Sequence, residues 1–171
     1  MSKIPVFVSS PTILSKEQEA KRQVIIDILT ELQLEDRALG RSDYAKDYPL
    51  KEVFVIAKHC AGGVILGFEQ LYVESGIRKR NTIEAKAIDS TNNLIISTPW
   101  NQLEAGILYG LKLPLIIFKE KGIEGGIFDY GISDVFIHEM PPENPDANKI
   151  KELKQVFLKW YGEVSQNYYE Y

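Results

Sequence analysis

Ile4-Pro5-Val6-Phe7-Val8, closed by Ser9-Ser10-Pro11, decides how the rest of the chain is read. The run is apolar without interruption, partly β-branched, and ends in a loop signal. A half-solvated strand alternates polar and apolar residues, whereas an unbroken apolar run fits a strand covered on both faces. Working outward, Ser15 and Gln18 form the pattern of a capping box, and Ala20, Val24, Ile25, Ile28, Leu29 and Leu32 recur at helical spacing after it. Leu34 to Leu39 reads as a short edge strand, followed by a Gly40-Arg41-Ser42-Asp43 loop. Pro49 opens a second helix with an expected inner face of Leu50, Val53, Phe54, Ala57 and Cys60, and Gly62-Gly63 is expected to stop it. Val64-Ile65-Leu66-Gly67 is again wholly apolar. Strand, helix, strand, helix, strand with buried-type strands predicts an α/β fold built on a parallel sheet.

Residues 68–93 are the least regular stretch and are expected to form a hairpin insertion in a single domain spanning 1–171. Arg78-Lys79-Arg80 within it reads as a solvated charge run. Beyond Leu94-Ile95-Ile96, Thr98 suits an N-cap and Pro99 the first helical position, so a helix is expected from Pro99 to about Lys112. Leu113 to Phe118 and Val135-Phe136-Ile137 are further strand candidates, separated by a loop holding Gly122, Gly125 and Gly126. Ile150, Leu153, Val156, Phe157, Trp160 and Val164 line one stripe of a final helix. The tail Tyr168-Tyr169-Glu170-Tyr171 reads either as a contact for a partner subunit or as a frayed end.

Composition removes several function classes. With 171 residues, 44% hydrophobic and 26% charged, the chain can bury one substantial core. A net charge of −4 offers no basic field for duplex nucleic acid. Cys60 is the single cysteine, which excludes an internal disulfide and fits a reducing, cytoplasmic setting. His59, Cys60 and His138 lack the clustering of a metal site, so no metal is expected. The five-residue apolar run near the N-terminus is too short for a signal peptide or a membrane span. No P-loop, GxGxxG or G-x-S-x-G pattern occurs, which removes the main support for NTPase, dinucleotide oxidoreductase and serine hydrolase readings.

Glu104 does not fit its surroundings. With Trp100 at zero on a helical wheel, Leu103, Ile107 and Leu111 fall at about 300, 340 and 20 degrees and Glu104 at about 40. A carboxylate on an apolar stripe is costly unless something uses it. One reading is structural, with Glu104 meeting a backbone amide or a lysine at the rim of the sheet. The other is functional: ligands of open α/β sheets bind beyond the carboxyl ends of the strands, where this helix starts, and desolvation there raises a carboxyl pKa towards catalytic range. Ser9, Ser10, Phe68, Glu69 and Trp100 are the groups expected to share that crevice, with Trp100 and Phe68 able to stack on a base. Gly106 and Gly110, on the flank of the same helix, are expected to permit close packing on the sheet.

Two resemblances meet on these residues. Glu104-Ala105-Gly106-Ile107-Leu108-Tyr109-Gly110-Leu111-Lys112-Leu113-Pro114 resembles the E-[LA]-G-x-A-x-x-x-G-K-x segment of nucleoside 2-deoxyribosyltransferases, and Tyr130-Gly131-Ile132-Ser133-Asp134 is similar to their W-G-V-S-D segment. That resemblance implies that Glu104 attacks the anomeric carbon of a sugar. The chain departs from it at Thr98, where the family has an aspartate, and at Gly126, where it has an asparagine supplied to a neighbouring subunit. Pro5-Val6-Phe7-Val8-Ser9-Ser10 is similar to the opening D-V-F-I-S-[HY] strand of Toll/interleukin-1 receptor (TIR) domains, and the segment Ser97 to Glu104 resembles their S-x-x-x-x-W-C-x-x-E helix, with Asn101 in place of the cysteine. Asn101 thereby joins the candidate substrate-binding residues.

Both resemblances imply a flavodoxin-like three-layer sandwich with a mainly parallel five-stranded sheet. They also imply a homo-oligomer and glutamate-dependent cleavage of an N-glycosidic bond in NAD or a nucleoside or nucleotide, with NAD as substrate and no cofactor. The TIR resemblance extends to proteins of antiviral defence. The competing expectation is a non-catalytic nucleotide-binding or TIR-type assembly module.

Overall fold

The computed structural model describes residues 3–44 and 46–170. Met1, Ser2 and Tyr171, the ends of two stretches discussed above, lie outside the described residues. In chain order the elements are β1 (Ile4–Ser9), α1 (Lys16–Glu31), β2 (Leu34–Arg37), α2 (Pro49–Lys58), β3 (Gly63–Gly67), β4 (Leu71–Val73), β5 (Gly76–Arg78), β6 (Lys86–Ile88), β7 (Leu94–Ile96), α3 (Pro99–Gly110), β8 (Leu115–Lys119), a 3-10 turn (Gly126–Phe128), β9 (Ile137–Glu139) and α4 (Ala147–Tyr169). Strands β2-β1-β3-β8-β9, in that spatial order, form one sheet in which every pairing is parallel. This is the flavodoxin-like α/β arrangement.

Side-chain alternation along the strands divides the core into two layers. Val6, Val8, Val64, Leu66, Ile116 and Phe118 face α1 and α4, meeting Ile25, Ile28, Leu29, Leu153, Phe157 and Trp160. Phe7, Ile65 and Ile117 face the other way, towards Val53, Ala57, Ala105 and Leu108 of α2 and α3. The continuous apolar strands thus have helices on both faces. Ser15 and Gln18 make the reciprocal capping box that starts α1, and Asp146 caps α4.

The chain leaves β1 towards β2 on one side and returns through α2 to β3 on the other. The order therefore reverses between β1 and β3, which pair Phe7 with Gly63 through Ser9 with Ile65. The crevice beyond their carboxyl ends is the place where such sheets bind ligands.

Several local expectations give way to packing. The buried face of α2 is Val53, Ile56 and Ala57, while Leu50 and Phe54 stay half-exposed, because the helix is rotated by roughly half of a residue's 100° step relative to the expected stripe. Gly62 and Gly63 are there for close approach: a Cβ at Gly62 would lie 2.6 Å from Val164, and one at Gly63 would lie 2.8 Å from Leu115. Leu94-Ile95-Ile96 pairs antiparallel with β4, outside the main sheet, and β5 pairs with β6 beyond it, so β4 to β7 form a nested excursion between β3 and α3. Gly106 and Gly110 meet nothing within 4 Å of an added Cβ and face outwards, so neither packs on the sheet. Tyr168 and Tyr169 continue α4, with Tyr168 packed against the core.

Candidate active site

The first turns of α3 carry the site. Thr98 accepts from the Trp100 amide at 3.3 Å and Pro99 occupies the first helical position, so the helix starts where cap chemistry dictates. Its inward face is Asn101, Ala105 and Leu108, all at 0% exposure. Leu103, expected inside, is 48% exposed. Glu104 therefore flanks the buried face instead of lying on its centre line, and it points to the sheet's rim.

There the Ser9 hydroxyl, at the end of β1, donates to Glu104 Oε2 at 2.5 Å. Ser9 is itself fully buried. Behind it, Asn101 Nδ2 donates to Ser9 Oγ at 2.8 Å and to the Leu66 carbonyl of β3 at 3.3 Å, and Ser97 Oγ donates to Asn101 Oδ1 at 2.5 Å. Burial pushes the Glu104 carboxyl up to about 7, against the smaller opposing effect of the Ser9 hydrogen bond. No basic side chain contributes to that balance.

Glu104 lines a cavity of about 440 Å³ together with Trp100, Thr98, Ser10, Tyr44 and Gln70. The size suits a small-molecule site. Trp100 borders it and is 41% exposed. Of the described residues lining the cavity, none is lysine, arginine or histidine, and Glu104 is the single carboxylate. Among the described residues no group of three His, Cys, Asp or Glu side chains is placed to hold a metal ion.

Of the expected site residues, Glu104, Trp100 and Ser10 border the cavity, while Ser9 and Asn101 stand behind Glu104 and reach it through hydrogen bonds. Two expectations are corrected. Phe68 is fully buried in the core layer beneath α1 and α4, because the residue after β3 continues that strand's alternation with Leu66. Glu69 is exposed and does not border the cavity; its amide donates to the Glu120 carboxylate at 2.8 Å, and its carbonyl accepts from Gln18. Gln70, one residue on, takes the place expected of them.

Residues from a distant loop were missed. Leu39, Gly40 and Tyr44 form part of the wall. Arg41 ties that loop down, donating to the Pro11 carbonyl at 2.9 Å and to Glu19 at 2.6 Å. The signal available was the Gly40-Arg41-Ser42-Asp43 run itself, which reads as an ordinary connection.

No protein-family model matches the chain, and no curated protein matches it. Among solved structures it is similar to a diflavin flavoprotein from Nostoc sp., with 16% identity and a TM-score of 0.50, over 99% of this chain and 97% of that one. It is also similar to the CMP N-glycosidase BcmB of Clostridium botulinum, with 14% identity and a TM-score of 0.47, over 91% of this chain and 98% of that one. The likeness to the flavoprotein is one of fold.

Proposed function

We propose that the chain cleaves the N-glycosidic bond of a nucleoside, with Glu104 as the group that meets the anomeric carbon. The observation that carries this reading is a single, largely desolvated carboxylate, held by a serine hydroxyl, on the wall of a nucleoside-sized cavity that a partly exposed tryptophan also lines. The resemblance of the segment from Glu104 to Pro114 to the deoxyribosyltransferases supports it independently. As the carbon–nitrogen bond breaks, its electron pair leaves with the base, which takes a proton from water. The positive charge left on the sugar is met by the Glu104 carboxylate, either as a close ion pair or as a glycosyl ester. Water then adds at the same carbon, releases its proton to solvent and frees the carboxylate. Trp100 holds the base by stacking.

The absence of a cationic side chain from the described lining favours an uncharged nucleoside over a nucleotide or NAD, whose phosphates would face only neutral groups and a carboxylate. A binding-only module is favoured by one observation. Thr98, at the position of the deoxyribosyltransferases' aspartate, serves as a helix cap, so no second carboxylate assists the first.

The test is to incubate the pure chain with ribo- and deoxynucleosides, nucleoside monophosphates and NAD and to measure free base. Release from nucleosides, reduced about 10³-fold or more in a folded Glu104→Gln variant, is the expected result. Binding of a nucleoside with no release at any protein concentration overturns catalysis in favour of the module.

A further inference from the structure

We propose that Asn101 is a positioning residue, and that with Ser97 it forms a one-way hydrogen-bond relay that commits the Ser9 hydroxyl proton to Glu104. The inference rests on the reading of Glu104 as the reacting carboxylate for its role in catalysis, although the relay itself does not depend on that reading.

An asparagine at the centre of a helix–sheet interface is costly unless its polar atoms are matched. Asn101, at 0% exposure between Ala105 and the sheet, is matched at both ends of its amide. The Leu66 carbonyl can only accept, so the amide atom facing it must be the nitrogen, and the oxygen is turned to Ser97. The second N–H of that nitrogen then points at Ser9 Oγ, 2.8 Å away. Ser9 has one hydroxyl hydrogen, and with its oxygen already accepting from Asn101 that hydrogen goes to Glu104 Oε2.

Each donor in the series Ser97, Asn101, Ser9 thus points the same way and ends on the carboxylate. Aligned hydrogen bonds polarise one another, and these do so in a buried setting where the effect is strongest. The relay therefore favours the ionised carboxylate and fixes its orientation from behind, leaving the cavity side free for a ligand. An aspartate at 101 would reverse the series. It offers no donor, competes for the Ser9 proton, and places a second negative charge behind the first.

Other charges around Glu104 do not supply this effect. β1 and β3 carry no titratable side chain, α3 carries only Tyr109 besides Glu104, and the 3-10 turn carries none. From α2, Lys51 pairs with Asp47, Lys58 stands over Phe54 and Glu52 lies in the first turn; on the loop that walls the cavity, Arg41 pairs with Glu19 and Asp43 with Arg37. Within the cavity Tyr44 is the other titratable group among the described residues.

The experiment is a carbon-13 NMR titration of the Glu104 carboxyl in the full chain, wild type against Asn101→Asp and Ser97→Ala, with kcat and KM measured alongside. The relay predicts that Asn101→Asp displaces the Glu104 midpoint upward by about one pH unit or more and that Ser97→Ala displaces it less, in the same direction. It also predicts that kcat near pH 6 falls about tenfold in Asn101→Asp while KM stays within about twofold, since Asn101 is buried behind Glu104 and does not line the cavity. If Asn101→Asp does not fold, the Ser97→Ala midpoint decides. A midpoint unmoved in the folded variants overturns the relay. A displaced midpoint in a chain that releases no base supports the relay and sinks the glycosidase reading instead.

Discussion

Ser9 and Glu104 are 95 residues apart in the chain, and the hydroxyl of one donates to the carboxylate of the other at 2.5 Å. The contact joins the end of β1 to the first turns of α3 across the point where the strand order reverses. Without it, Glu104 would be a buried carboxylate opposed by desolvation alone.

The first prediction is a pH profile. Burial holds Glu104 near 7, and the proposed chemistry needs the ionised form, so kcat rises with pH and levels off above about 7. Ser9→Ala removes the hydrogen bond that favours the charge, so its midpoint moves to higher pH. A flat profile from pH 5 to 9 contradicts the assignment.

Stability carries the same information with the opposite sign. Below about pH 4 the carboxyl is protonated in both folded and unfolded chains and costs nothing. Between there and about 7 the folded chain holds a proton that the unfolded chain has lost, so stability falls as pH rises and then levels off. Glu104→Gln is accordingly more stable than wild type at pH 8 by about 1–2 kcal/mol, a figure reduced for the carboxylate's residual solvent contact, and nearly equal to it at pH 4. Urea unfolding at the two pH values measures the difference.

Trp100 is 41% exposed, so its truncation spares the core. Trp100→Ala should raise KM about tenfold with kcat within a few-fold and Tm nearly unchanged, if the indole stacks on the base. An unaltered KM would remove Trp100 from the site.

Gly67 ends β3 against the ring of Phe128, where an added Cβ would lie 2.6 Å from Cε1. Gly67→Ala should cost about 1–3 kcal/mol, a fall in Tm of about 3–10 °C. Phe128→Leu in the same chain should recover part of the loss, which thermal unfolding of the double variant reads directly.

What the amino-acid order revealed, and what it hid, follows from the range of the forces involved. The three central strands of the main sheet, β1, β3 and β8, are largely apolar runs, and helix starts are written in Ser15 and Gln18, in Thr98 and Pro99, so the α/β alternation was legible, whereas the edge strands β2 and β9 carry charged or polar residues and give a weaker signal. Glu104 was legible as an anomaly, but the wheel centred its helix on Leu103 and Ile107, whereas the sheet selects Asn101, Ala105 and Leu108. Periodicity shows that a helix has an apolar side; it does not show that a buried asparagine with three partners can occupy the middle of it. Phe68 was misplaced because a strand's alternation ran one residue past its hydrogen bonds. Leu39, Gly40 and Tyr44 reach the cavity only through tertiary folding, which no local pattern encodes.

The excursion from β4 to β7 enters and leaves beside the cavity, with Gln70 before it and Thr98 after it, while Ile77 and Ile83 near its far end stand in solvent. Its tip can therefore lengthen, shorten or change composition without disturbing the five parallel strands, whereas a change at its two feet, Gln70 and Thr98, alters the wall of the hollow itself. The part of the chain that is free to vary and the part that shapes the hollow are thus separated along one excursion.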